Sequence, residues 1–212
     1  MLMANPALIK LSVVTLSAGG VSVVGWQIFN HLNKEEDKTE VYLTKQKRER
    51  ASSAEEWGKI KDFYSTAGQS GLIPSILPQN VQANDIKNWC DRELNKPLKE
   101  QTTENLRLIE TWCSKPRTLT AQITALNRVP LNVDTEINSN PDKNTWENYA
   151  NSYKTSGDKF KIQKKNNNNW VDFTASEATA DIMKEWCKDN GSKQYKHSED
   201  SLFETYHKWC SK

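Results

Sequence analysis

The chain has 212 residues, with 29 Lys and Arg against 27 Asp and Glu, and a net charge of +2. That balance is too small to imply a nucleic-acid or acidic-lipid partner. Apolar residues make up only 36% and mean hydropathy is -0.81, yet eight Trp and six Tyr supply enough ring area for compact cores.

Residues 1–10 are a short flank ending in Lys10, and Leu11 to Phe29 (LSVVTLSAGGVSVVGWQIF) follows without a charge. About 19 residues at ~1.5 Å rise nearly cross a ~30 Å hydrocarbon layer. Segment 11–29 is therefore expected to be a single-pass transmembrane signal-anchor helix, with Trp26 and Phe29 at its interface. A cleaved secretory signal is the competing reading, because Ser17, Ala18, Gly19, Gly20 and Ser22 are small. The apolar run continues past them, which favours the anchor. Lys34, Lys38, Lys45, Lys47 and Arg48 follow the span, and by the positive-inside rule they would keep the remainder in the cytoplasm. Long domains translocate largely regardless of such charges, and the cysteine pattern below calls for an oxidising compartment. The expected location is the cell membrane, with the C-terminal domain extracellular.

Residues 30–53 are charged and weakly periodic, and are expected to form a stalk. Beyond them lies a duplication. Ile86–Lys115 aligns without gaps on Met183–Lys212 at an offset of 97, with nine of 30 positions identical, where roughly two are expected from average composition. The identities include Trp89/Trp186, Cys90/Cys187, Lys96/Lys193, Trp112/Trp209, Cys113/Cys210 and Ser114/Ser211. A weaker match joins Trp57…Tyr64 to Trp146…Tyr153, and the distance from this Trp to the first Trp-Cys is 32 in one copy and 40 in the other. The chain thus divides into a first Trp-Cys module at 54–115, a linker at 116–142 punctuated by Pro116, Pro130 and Pro141, and a second module at 143–212.

Leu106, Ile109, Trp112 and Cys113 mark one helical face, and Phe203, Tyr206, Trp209 and Cys210 mark its counterpart. Ile86, Trp89, Cys90 and Met183, Trp186, Cys187 do the same one helix earlier. Thr102 with Thr103, and Ser198 with Asp200 and Ser201, offer N-caps for the last helices. The expected fold is mainly α: an N-terminal transmembrane helix followed by two duplicated, disulfide-stapled modules of three helices each.

Four cysteines in two pairs, each 23 residues apart, predict Cys90–Cys113 and Cys187–Cys210 disulfides. A tetrathiolate zinc site needs cysteines two to four apart, and redox catalysis usually needs Cys-x-x-Cys; neither spacing occurs. Trp89, Trp112, Trp186 and Trp209 are predicted as structural core shielding the disulfides, in preference to a ligand site. No phosphate-cradling Gly loop, His-Glu-x-x-His or Gly-x-Ser-x-Gly is present, and the histidines are only His31, His197 and His207, the last expected to face solvent. No enzyme, cofactor or metal is expected. Asn166–Asn169 reads as a flexible loop.

The apolar Leu8–Gly25, Ile86-Lys-Asn-Trp-Cys90, Met183-Lys-Glu-Trp-Cys187 and Lys208-Trp-Cys210 together resemble the large paralogous surface-protein families of haemotropic mycoplasmas. The resemblance implies a surface-exposed, antigenically variable protein of a wall-less cell, and carries no catalytic or binding residue. The expected function is that of a membrane-anchored surface protein serving host interaction or antigenic display. A structural or envelope protein contacting other membrane proteins is the alternative, and an extracytoplasmic hydrolase a more distant one. Expected partners are the membrane, through 11–29, and a host or envelope protein, with no nucleic acid and no small-molecule substrate.

Overall fold

Apolar residues recurring at helical spacing, most runs opened by a capping side chain, dictate most of the architecture. The structure, a computed structural model, describes residues 38–68, 71–156, 159–167 and 169–212. The expected anchor at 11–29 and the flank before it lie outside the described residues. Among the described residues no helix is long and apolar enough to cross a membrane. They contain eight α-helices: α1 (Glu40–Lys45), α2 (Ala54–Ser65), α3 (Ala83–Leu94), α4 (Thr103–Trp112), α5 (Leu119–Ala125), α6 (Lys143–Ser156), α7 (Ala180–Gly191) and α8 (Ser201–Trp209). Ser53 and Glu56 close a reciprocal capping box on α2, and Thr102, Thr118, Thr179 and Asp200 accept first-turn N–H groups of α4, α5, α7 and α8.

The described residues fall in one compact unit with two apolar cores. The first is built on Leu43, Trp57, Ile60, Tyr64, Ile86, Trp89, Ile109 and Trp112. The second is built on Leu119, Ile123, Trp146, Tyr153, Met183, Trp186, Tyr206 and Trp209.

Each core holds four helices, not three. Residues 38–53, assigned from sequence to the stalk, carry α1, whose Leu43 is buried in the first core. The linker likewise carries α5, with Leu119 and Ile123 buried in the second. These two segments correspond at an offset of 80. Arg48 N–H donates to the Leu43 carbonyl at 2.8 Å, and Arg128 N–H to the Ile123 carbonyl at 3.2 Å. Lys47 and Asn127 take positive φ, 56° and 60°, to make those turns. Ala51 N–H donates to Cys113 and Leu131 N–H to Cys210, at 3.0 and 2.9 Å. Arg48 Nε reaches Ser114 Oγ, and Arg128 Nε reaches Ser211 Oγ, both at 2.9 Å. The duplicated unit therefore begins well before its conspicuous Trp, with α1 starting 17 residues before Trp57 and α5 starting 27 before Trp146, and the boundaries at 53/54 and 142/143 cut through it.

The correspondence continues at an offset of 89. Tyr64 Oη accepts from Ile73 N–H at 2.9 Å, and Tyr153 Oη accepts from Ile162 N–H at 3.1 Å. The eight residues by which the second copy then lengthens, 40 against 32 between its tryptophans, go into a hairpin. Strands β1 (Lys164–Asn166) and β2 (Asn169–Val171) pair antiparallel, Asn166 opposite Asn169. Asn166 and Asn169, read from sequence as part of a flexible loop, are thus strand ends paired with each other. Asn167 supplies the positive φ, 47°, that a hairpin turn requires and that asparagine tolerates. Lys165 pins the hairpin to α7 through Asp189 at 2.5 Å, and Lys164 pairs with Glu177.

Candidate functional site

The two disulfides join the pairs that the spacing predicts, Cys90 to Cys113 and Cys187 to Cys210, with Cα separations of 5.4 and 5.6 Å. Each ties the helix carrying the first Trp-Cys to the end of the helix carrying the second. No cysteine is free among the described residues, and no group of three His, Cys, Asp or Glu is placed to hold a metal there. The four tryptophans are buried. Trp112 Nε1 donates to the Gly71 carbonyl at 2.7 Å, and Trp209 Nε1 to the Phe160 carbonyl at 2.9 Å. Tyr64 and Tyr153 meet these rings edge-on at 4.6 and 5.6 Å.

Between the copies runs a buried polar seam that no sequence motif announces. Glu110 of α4, fully buried, accepts from Tyr42 Oη at 3.1 Å, from Ser198 Oγ at 3.4 Å and from Tyr195 Oη. Tyr42 belongs to the first copy, Tyr195 and Ser198 to the second. Arg48 lies over the Tyr195 ring, 5.0 Å from its centroid, and donates to Ser114 Oγ and to the Lys115 carbonyl. Gln122 of α5 closes the seam by donating to the Gln46 carbonyl at 3.0 Å. Burial raises the Glu110 carboxyl above the usual range, against the opposing pull of the Tyr195, Ser198 and Tyr42 hydrogen bonds and of Arg48. Burial also raises both tyrosine hydroxyls, helped by the Glu110 charge, and lowers the Arg48 guanidinium to about 10. A carboxylate so enclosed has no substrate access, and its chemistry is that of a docking bond.

Comparison with known proteins gives no family. No protein-family model, curated protein or solved structure matches the chain.

Two open clefts flank the equivalent tryptophans. In the first copy a cleft of about 520 Å³ lies between α3 and the loop before it, lined by Ile76, Leu77, Asp85, Trp89 and Arg92. In the second a cleft of about 450 Å³ lies under the inserted hairpin, between Lys159, Lys161 and Trp170 on one side and Trp186, Lys193 and Thr205 on the other. Both fall within the 300–1,000 Å³ range usual for ligand sites. Trp89 and Trp186 are therefore core residues whose edges also floor a cleft. The sequence offered one signal for the second cleft, the lysine- and asparagine-rich stretch at 159–169.

The histidines sit differently from the sequence expectation. His207 is half-buried, its ring 5.8 Å from Phe203, and does not simply face solvent. Burial, then the nearby Arg128, lower it to about 4. His197 is also partly buried and lowered, chiefly by burial, and its Nδ1 has no hydrogen-bond partner among the described residues. Neither stands beside a thiol, since all four cysteines are bonded.

Proposed function

We propose that this chain is a membrane-anchored protein of the cell surface that acts by binding, with 11–29 as its single-pass anchor and the duplicated, disulfide-stapled unit outside the cytoplasm. The observation that carries this reading is the contrast between what the copies share and what they do not. The disulfides, the arginine–serine clasps and the tryptophan hydrogen bonds recur in both. The clefts differ in size, in lining and in charge. A scaffold held constant beneath two divergent recesses suits recognition of an external partner, whether for host contact or for antigenic display. Disulfides persist in oxidising compartments, which supports an external position.

Protease added to intact cells tests the topology. The expected result is loss of the folded unit while the anchor stays with the membrane. Protection of the whole chain until detergent is added would reverse the orientation and return the protein to the cytoplasmic side.

A further inference from the structure

We infer that the cleft of the second copy binds a short anionic saccharide, with Lys159, Lys161 and Lys193 meeting its acidic groups and Trp170 its sugar face. The inference rests on the binding reading above and adds a ligand class to it. The two copies neutralise an equivalent lysine differently. In the first copy Lys96 is neutralised by Glu93, at 2.7 and 2.8 Å, and Asn105 donates to the same carboxylate at 2.8 Å. In the second copy Lys193 stands where Lys96 does, but Asn190 replaces Glu93 and Leu202 replaces Asn105. Asn190 turns inward, donating to the Trp186 carbonyl at 2.8 Å. Lys193 is thus released from its acid and lines the cleft.

The inserted segment adds to the same wall. Lys161 occupies the position of Leu72 in the first copy, and both Lys159 and Lys161 line the recess. Neighbouring lysines are committed elsewhere: Lys164 to Glu177, Lys165 to Asp189, Lys188 to Asp134. Among the described residues Lys159, Lys161 and Lys193 have no carboxylate partner. Three ammonium groups without a carboxylate around one recess, that of Lys159 resting 5.0 Å from the Phe160 ring centroid, in a chain of net charge only +2, favour an anionic ligand. A uniformly acidic peptide fits less well, because Asp172 also lines the recess and accepts from Gln163 Nε2 at 3.0 Å. A hydroxyl-bearing ligand can donate to Asp172 while its charged substituents face the lysines. Trp170, half-exposed on β2, carries the Lys165 ammonium 5.3 Å from its ring centroid and also lines the recess, where its ring offers a surface for the carbon–hydrogen face of a sugar.

Titration calorimetry of the purified full-length chain in detergent, with a sulfated glycosaminoglycan tetrasaccharide as probe, tests the inference. The controls are its desulfated form, inorganic sulfate and a poly-glutamate peptide. Binding of the sulfated saccharide is expected, weakened by added salt. Lys161→Ala with Lys193→Ala, both on exposed side chains, is expected to weaken it about tenfold or more, the equivalent of one charge-assisted hydrogen bond. Trp170→Ala is expected to weaken the saccharide while leaving inorganic sulfate unchanged. Absence of binding, equal binding of poly-glutamate, or affinity indifferent to the lysine pair would each overturn the assignment. If the variants bind normally but Arg92→Ala does not, the ligand belongs to the first cleft and the assignment also fails. Saccharide binding by the pure protein together with full protection in intact cells would sink the surface reading and leave the site standing.

Discussion

Truncating Trp112 is the sharpest test of how the unit is held together. Its side chain is 2% exposed, its Nε1 donates to the Gly71 carbonyl at 2.7 Å, and its ring lies 4.6 Å from Tyr64 and 5.5 Å from Phe63. Trp112→Ala removes the ring, leaves a cavity beside the Cys90–Cys113 bond and strips Gly71 of its donor. Buried Trp→Ala changes cost about 3–5 kcal/mol, and the unpaired carbonyl places this one in the upper half of that range, about 4 kcal/mol. For a unit of this size each kcal/mol lowers Tm by about 2–4 °C, so a fall of about 8–16 °C is expected in a circular dichroism melt of the oxidised protein. Because Glu110 takes hydrogen bonds from both copies, the transition should move as one. A shift under about 2 °C would refute the core assignment and return Trp112 to the candidate contacts. Two resolved transitions, with only the first displaced, would refute the coupling through the seam.

Removing the first disulfide by Cys90→Ala with Cys113→Ala, which opens a loop of 23 residues' separation, should cost about 3 kcal/mol in urea titrations. Non-reducing peptide mapping that joined Cys90 to Cys187 would invalidate the pairing itself. Two titrations should tilt the pH profile of stability in opposite senses. Glu110, raised above the ordinary 4.5 by burial, keeps its proton to higher pH when folded, so its contribution is greatest below that value and is lost as pH rises through the folded value. His207, lowered to about 4 by burial and Arg128, contributes stability above 6.5 that is lost as pH falls toward 4. In melts from about pH 4 to 8, Glu110→Gln should remove the first slope and His207→Gln the second; profiles parallel to the parent's would show that neither group is linked to folding.

The parts legible in the sequence were those with large, unambiguous side chains. Trp and Cys at repeated spacing located four of the helices and both disulfides, since few other residues substitute for them in a packed core. The opening helices α1 and α5 escaped because they are six and seven residues long, too short for a periodic signal, and because the copies share little there beyond Arg48 and Arg128. The hairpin escaped because Lys-Lys-Asn and Asn-Trp-Val lack the alternating apolar pattern of a strand, its stability coming instead from ion pairs to Asp189 and Glu177. Glu110 looked like one acid among 27. Its role depends on Tyr42 and Tyr195, 68 and 85 residues away, a separation no local pattern encodes.

The seam also sets the two copies apart from each other. Position 110 of the first copy corresponds to His207 of the second, and the place of Tyr42 is taken there by Gln122. A third unit stacked onto the second in the same manner would bring its tyrosine to a partly buried imidazole beside Arg128, where no carboxylate waits to accept. Stacked repeats extend only while each new interface reproduces the last. Here the carboxylate of Glu110 has no counterpart at His207, so the second copy does not repeat the surface through which the first receives Tyr195.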